Sequence, residues 1–194
     1  MNPDQILNHF SETDSLLEGH FELSSGLHSP KYLQCAIALQ YTSDAAKFGQ
    51  AIARYCTGDE IETVASPAIG GLVIGYAVAS ALNVRFIWTE RENGTMTLRR
   101  GFSVKKGERI LVVEDVITTG GSTRECIQVL EKQGAEVIAA ASIIDRSNGE
   151  VDVGVPLISL AQMDVPGYKP EECPMCALGE EAVKPGSRGA KNNG

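Results

Sequence analysis

Ile110-Leu111-Val112-Val113-Glu114-Asp115-Val116-Ile117-Thr118-Thr119-Gly120-Gly121-Ser122 is the stretch that decides the fold. Four apolar residues without a polar break read as a parallel strand buried on both faces. Two adjacent carboxylates, Glu114 and Asp115, follow where that strand should emerge. Thr118–Ser122 is a loop of hydroxyls and glycines, and Thr123–Lys132 has the pattern of a helix. Strand, acidic pair, glycine loop and helix together predict a ligand site at the carboxyl end of an α/β strand.

The chemistry of the stretch has two halves. Carboxylates accept hydrogen bonds from ribose hydroxyls and can hold a hydrated Mg²⁺ through water. Backbone N–H groups and hydroxyls over Thr118–Ser122 can surround a phosphate, with the helix dipole behind them. A ligand carrying both a ribose and a 5′-phosphate suits the pair of halves. Glu-Asp alone could be only an acidic strand end before a capped helix; the whole run is more specific.

Working outward, strands alternate with helices. Residues 3–18 read as a helix stopped by Gly19, and Phe21–Gly26 with Lys31–Cys35 as a hairpin-like pair apart from the main sheet. Asp44–Cys56 and Leu72–Leu82 read as helices; Glu62–Ser66, Val84–Thr89, Glu108–Val113, Val137–Ile144 and Val155–Leu160 read as strands. Glu90–Phe102 reads as a loop or mobile hairpin, and the chain from Pro166 as an irregular tail. The fold class is therefore α/β, a mainly parallel twisted sheet flanked by helices, with a small N-terminal hood. The expected organisation is one domain over 1–194: a hood of about 1–40 plus the C-terminal segment, a core of about 41–160, and a tail over 166–194.

Bulk properties narrow the function. With 43% apolar and 22% charged residues, 194 residues can bury a substantial core. A net charge of −8 argues against nucleic-acid binding, which favours a basic face. An anionic ligand must then be met locally, by amides, a metal or a few placed cations. No apolar run is long enough for a membrane span and the N-terminus is not a signal peptide, so a cytoplasmic location is expected. Five cysteines fit reduced thiols better than a disulfide framework.

Four further features bear on chemistry. Pro67-Ala68-Ile69-Gly70-Gly71 is a second strand-to-helix turn that can take a phosphate or pyrophosphate, or serve only close packing. Arg91, Arg99 and Arg100 are cations on an otherwise acidic chain, able to meet a pyrophosphate leaving group or merely to face solvent. Asp145-Arg146 ends another strand; Arg146 can fork onto a substrate carboxylate, or pair locally with its neighbour. Cys173-Pro174-Met175-Cys176 has zinc-ligand spacing, but no second pair or nearby His completes a four-ligand site in one chain, so tail packing is the first expectation and a zinc shared between subunits an alternative. His9, His20 and His28 are scattered, and only His28, in the early turn, is placed to see a ligand.

Ile110–Ser122 matches, position for position, the phosphoribosyl-pyrophosphate (PRPP) motif of type I phosphoribosyltransferases. The chain resembles most the orotate-using members of that family. Phe21-Glu22-Leu23-Ser24-Ser25-Gly26-Leu27-His28-Ser29-Pro30 is similar to their hood segment, and Asp-Arg stands at their spacing after the motif, as Asp145-Arg146. The resemblance implies transfer of ribose 5-phosphate from PRPP to orotate, giving orotidine 5′-monophosphate and pyrophosphate, with Mg²⁺. It implies PRPP contacts from Ala68, Ile69, Gly70 and Gly71, and from Glu114, Asp115, Val116, Ile117, Thr118, Thr119, Gly120, Gly121 and Ser122. It implies orotate contacts from Ser24, Tyr32, Thr118 and Arg146, and a homodimer whose loops complete the neighbouring site. Asp115 and the loop arginines Arg91, Arg99 and Arg100 are the expected catalytic residues.

The chain also departs from the family. Ser24 stands where the family usually has Lys, and Leu33 where a second aromatic often follows the one at Tyr32. Of the family's loop pattern Arg-Lys-x-x-Lys-x-His-Gly only Arg91 survives, in Arg91-Glu92-Asn93-Gly94-Thr95-Met96-Thr97-Leu98. Arg99 or Arg100 is expected to substitute for the missing lysine, with Lys105 or Lys106 as the alternative. A phosphoribosyltransferase for another base such as a purine, and a non-catalytic PRPP-responsive regulator, are the competing readings.

Overall fold

The computed structural model describes residues 1–23, 26–56, 58 and 60–185. Six strands form the main sheet: β3 (Thr63–Pro67), β4 (Arg85–Glu92), β5 (Thr95–Leu98), β6 (Arg109–Ile117), β7 (Glu136–Asp145) and β8 (Leu157–Gln162), ordered β5-β4-β3-β6-β7-β8. All neighbours run parallel except β5, which turns back on β4. Glu90–Phe102 is thus largely a hairpin built onto the sheet edge, its turn at Asn93 and Gly94 taking positive φ.

Alternation along β6 sets the layers. Leu111 and Val113 enter the core shared with α1 (Pro3–Glu12), α2 (Cys35–Leu39), α3 (Thr42–Tyr55) and α4 (Gly71–Leu82). Ile110 and Val112 face the opposite core, with Cys126, Ile127 and Leu130 of α5 (Gly121–Lys132). Helices on both faces explain the unbroken apolar run.

The first expected helix is shorter than residues 3–18. A capping box starts it, Asn2 Oδ1 accepting from Gln5 N and Gln5 Oε1 from Asn2 N, each at 2.9 Å. It stops at Glu12: Thr13 Oγ1 donates to His9 O, and Asp14 takes φ 53°, which a continuing helix forbids. Leu16 and Leu17 belong instead to β1 (Leu16–Glu22), antiparallel to β2 (His28–Leu33). The short α2 had no separate signal in the sequence.

The tail is more ordered than its composition predicted. A 3₁₀ turn (Pro170–Glu172) precedes α6 (Pro174–Ala177). Tyr168 pairs with His28, and Val183 with Phe21, so the C-terminal segment lines both edges of the β1–β2 hairpin. Lys184 Nζ lies 2.7 Å from Glu22 Oε1. Among the described residues no helix is long and apolar enough to cross a membrane.

Candidate active site

The carboxyl ends of β3, β6 and β7 converge. At the end of β6 Glu114 is buried and Asp115 half-buried. The turn after β3 lies against both. A Cβ on Gly70 would stand 2.7 Å from Asp115 Oδ1; one on Gly71 would stand 2.8 Å from the Val113 carbonyl and 3.1 Å from Glu114 Oε1. Only glycine lets this backbone approach the carboxyls. The turn after β3 and the acidic pair at the end of β6 are thus in direct contact. The Ala68–Ile69 peptide in it is cis, and Ile69 is exposed.

Both carboxyls of the acidic pair are raised above their usual range. Burial raises Glu114 well above the usual carboxylate range, and the neighbouring Asp115 charge and hydrogen bond raise it further. Burial also raises Asp115, opposed by the hydrogen bond from Glu114 and by the Val116 amide 2.9 Å from Oδ1. Hydroxyl donors or a hydrated cation would stabilise the ionised pair, so such a ligand favours loss of protons from it. The donor set, two carboxylates facing an open cleft, fits a hydrated Mg²⁺.

The following loop is pre-formed. Gly120 takes φ 68°, and a Cβ there would stand 2.8 Å from Val153 Cγ1. Arg124 ties the loop down, donating at 2.7 Å to the carbonyls of Thr119 and Asp152. Thr118, Thr119 and Ser122 remain exposed at the start of α5. Hydroxyls and a positive helix end therefore face outward over a rigid turn. Arg124 had no motif to reveal its clamping role; its partners are known only once the chain is folded.

Arg146 follows β7, its amide donating to the Ile117 carbonyl at 2.7 Å. Its side chain makes no pair with Asp145, contrary to the local-pair alternative. Asp145 instead accepts from Ser147 N, Ser147 Oγ and Gly149 N. Arg146 Nε is buried without a hydrogen-bond partner. Burial lowers the Arg146 pKa, while Tyr32 and Cys35 oppose that shift. Tyr32, from β2, is raised by burial and then by Asp115, with Arg146 opposing. An aromatic ring, an unsatisfied guanidinium and the acidic pair are therefore electrostatic neighbours. Ser24 lies outside the described residues.

The three loop arginines are all engaged. Arg91 reaches Glu125 on α5 at 2.6 Å and the Gly94 carbonyl at 2.9 Å. Arg99 pairs with Glu92 at 3.2 Å. Arg100, at φ 62°, forks onto Glu90 at 2.6 and 3.0 Å and, with Trp88, holds that carboxyl down at about 2. The Arg91–Glu125 and Arg99–Glu92 pairs are largely exposed and cheap to exchange for another anion, whereas the Glu90 carboxyl is mostly covered and is held by Trp88 as well.

Cys173 and Cys176 meet His20 and His28 of the hairpin, 148 to 156 residues away along the chain. The expectation that no His joins them within one chain is corrected: β1, β2 and the tail bring all four together. Lys184 binds Glu22.

The phosphoribosyl transferase domain model matches residues 40–160. The chain is 50% identical to the orotate phosphoribosyltransferase of Caldicellulosiruptor bescii over 188 residues, 97% of this chain and 99% of that one. It is 51% identical to the orotate phosphoribosyltransferase of Thermotoga maritima over 180 residues, 93% and 96% of the two chains. Among solved structures it is similar to orotate phosphoribosyltransferase from Aeropyrum pernix, with TM-score 0.66 and 27% identity over 81% of this chain and 93% of that one.

Proposed function

The chain belongs to the phosphoribosyltransferase family, and from that premise we infer that it transfers ribose 5-phosphate from PRPP to orotate, releasing pyrophosphate and forming orotidine 5′-monophosphate, a step of pyrimidine biosynthesis. Near-full-length likeness to orotate phosphoribosyltransferases supports the acceptor. The observation that carries the reading is Arg146: a half-buried guanidinium whose buried Nε has no partner, within electrostatic reach of Tyr32, which also feels Asp115. Orotate has a carboxylate for it to grip; purines do not.

The reaction exchanges one bond at the anomeric carbon: its bond to the pyrophosphate oxygen breaks as N1 of orotate bonds to it. Orotate N1 arrives deprotonated, so no strong general base is required. The protein's tasks are positioning and charge neutralisation. Glu114 and Asp115 would receive the ribose hydroxyls, and Thr118–Ser122 the 5′-phosphate. The Ala68–Gly71 turn would meet pyrophosphate, while Tyr32 and Thr118 would meet the orotate ring. Mg²⁺, held through PRPP and the water it shares with Glu114 and Asp115, would supply charge neutralisation on the leaving pyrophosphate. Arg91, Arg99 and Arg100 would exchange their carboxylate partners for that pyrophosphate, across the interface of a homodimer. Exposed Ile69, Val73 and Tyr76 at and near α4 offer an apolar face for such pairing. Five free thiols support a reducing compartment, the cytoplasm.

The test is turnover with PRPP and Mg²⁺ against orotate, uracil, adenine and hypoxanthine. Pyrophosphate release with orotate alone is expected. Release with a purine and none with orotate would overturn the assignment.

A further inference from the structure

We propose that His20, His28, Cys173 and Cys176 form a structural zinc site that fastens the C-terminal segment to the N-terminal hairpin. The proposal is independent of the phosphoribosyl chemistry: it concerns a second cluster, built by other residues.

The four side chains present one ligand atom each, and these atoms all lie within 4.8 Å of one another. His20 Nε2 and His28 Nδ1 are 2.8 Å apart. Cys173 Sγ lies 3.5 Å from His20 Nε2, and Cys176 Sγ lies 3.7 Å from His20 Nε2 and 3.2 Å from His28 Nδ1. A tetrahedral zinc with its usual bond lengths sets nitrogen and sulfur ligands about 3.5 Å apart and two nitrogens about 3.3 Å apart. Small adjustments admit the ion.

The surroundings select this chemistry. His20 Nδ1 stands 3.0 Å from the Glu180 carbonyl, which can only accept. That contact places the proton on Nδ1 and leaves the Nε2 lone pair pointing at the cluster, the outer-shell arrangement that orients a metal-bound imidazole. His20 and Cys173 are both buried, and both cysteines are free thiols rather than a disulfide. Two thiolates and two imidazoles in a tetrahedral set select zinc over the hard cations. Four protein ligands leave no open position for water or substrate, so the site is structural. Binding is balanced as one Zn²⁺ taken up and two thiol protons released to solvent.

The ion would close a short circuit in the fold. His20 and His28 sit at the turn end of the β1–β2 hairpin, which gains an edge pairing from Tyr168 on one side and from Val183 on the other. Cys173 and Cys176 lie between those two pairings in sequence. A metal there holds both edges at once. On the same hairpin Phe21 contacts the Tyr32 ring, centroids 5.8 Å apart, so the staple also positions a ring at the mouth of the acidic pair.

The test begins with metal analysis of the full chain, purified without a metal-affinity column. About one zinc per chain is expected. Titration of the folded protein with an organomercurial should release that zinc as about two thiols react. Replacement by Co²⁺ should give the intense visible bands of a tetrahedral, thiolate-bound ion. Cys176→Ser and His28→Ala should each lose most of the zinc, while Cys126→Ser keeps it. On removal of zinc from the wild type, amide exchange at Glu22 and Val183 should rise at least about tenfold. The mercurial titration and cobalt spectrum use the wild-type protein, so they decide the matter even if a variant does not fold. A chain with no stoichiometric metal and no tetrahedral cobalt spectrum would overturn the proposal. So would zinc retained in Cys176→Ser, or a Cys173–Cys176 disulfide in the purified protein.

Discussion

The two ends of the parallel sheet carry nearly the same residue types and use them oppositely. At the amino end, Glu108 accepts from Thr63 Oγ1 at 2.6 Å, from Arg85 at 2.6 Å and from the Lys105 amide at 2.7 Å. At the carboxyl end, Glu114 and Asp115 crowd one another, and Arg146 Nε has no partner. Burial pushes Glu108 up, yet Thr63, Lys105 and Arg85 outweigh it and hold the carboxyl below its usual range. Burial and a like charge raise Glu114 instead. A closed network stabilises the fold; an open one keeps its interaction energy for a ligand.

The largest break in that contrast is neutralisation. Asp115→Asn should lower kcat/KM by about 10²-fold or more, because its carboxylate is to hold the ribose through the transition state. It should leave Tm unchanged or higher, since a crowded buried charge is removed. Glu108→Gln should do the reverse, costing about 1–3 kcal/mol in denaturant unfolding with kcat/KM near wild type. Equal loss of stability at both ends would erase the distinction.

Arg146→Ala comes next. Orotate KM should rise about tenfold or more, PRPP KM should stay within about twofold, and Tm should not fall. Arg85→Ala, which strands Glu108, should lower Tm and spare both KM values.

The two ends should also titrate with opposite sign. Glu108 is lower in the folded state than unfolded, so its contribution is full above the unfolded pKa and lost as pH falls through the folded value. Glu114 is higher in the folded state, so the free protein's contribution from it is full below the unfolded pKa and lost as pH rises through the folded value. Since a ribose ligand favours the ionised pair, PRPP affinity should increase as pH rises through that range. Urea unfolding across pH, with Glu108→Gln and Glu114→Gln as references, separates the two.

The smallest effect is expected at the hairpin. Ala at both Arg99 and Arg100 should reduce kcat several-fold with orotate KM little changed, because both arginines are surface side chains whose only partners among the described residues are the carboxylates Glu92 and Glu90. A kcat within about twofold of wild type would remove them from the reaction.

What the sequence showed of this plan followed period and spacing. The unbroken run Ile110–Val113 signalled a central parallel strand, and the glycines at 70, 71 and 120 signalled close backbone approach. Contacts between distant segments left no local trace. Nothing near Cys173 announces His20, because the tail reaches the hairpin only through two edge pairings. Leu16 and Leu17 continue a helical stripe in sequence, yet Asp14 turns the chain and gives them to a strand. Glu108 and Glu114 look alike in composition; only their surroundings tell a carboxyl held low by its donors from one raised by burial and a like charge.

Ribose binding should draw on the ionised form of the Glu114–Asp115 pair, whose carboxyls are both raised in the free protein. Calorimetric titration of PRPP with Mg²⁺, in buffers of differing ionisation enthalpy over about pH 5 to 8, counts the protons released on binding. Wild type should release more than Glu114→Gln, by up to about one proton, and should bind more tightly as pH rises. Identical proton release and unchanged affinity in the two proteins would contradict the account.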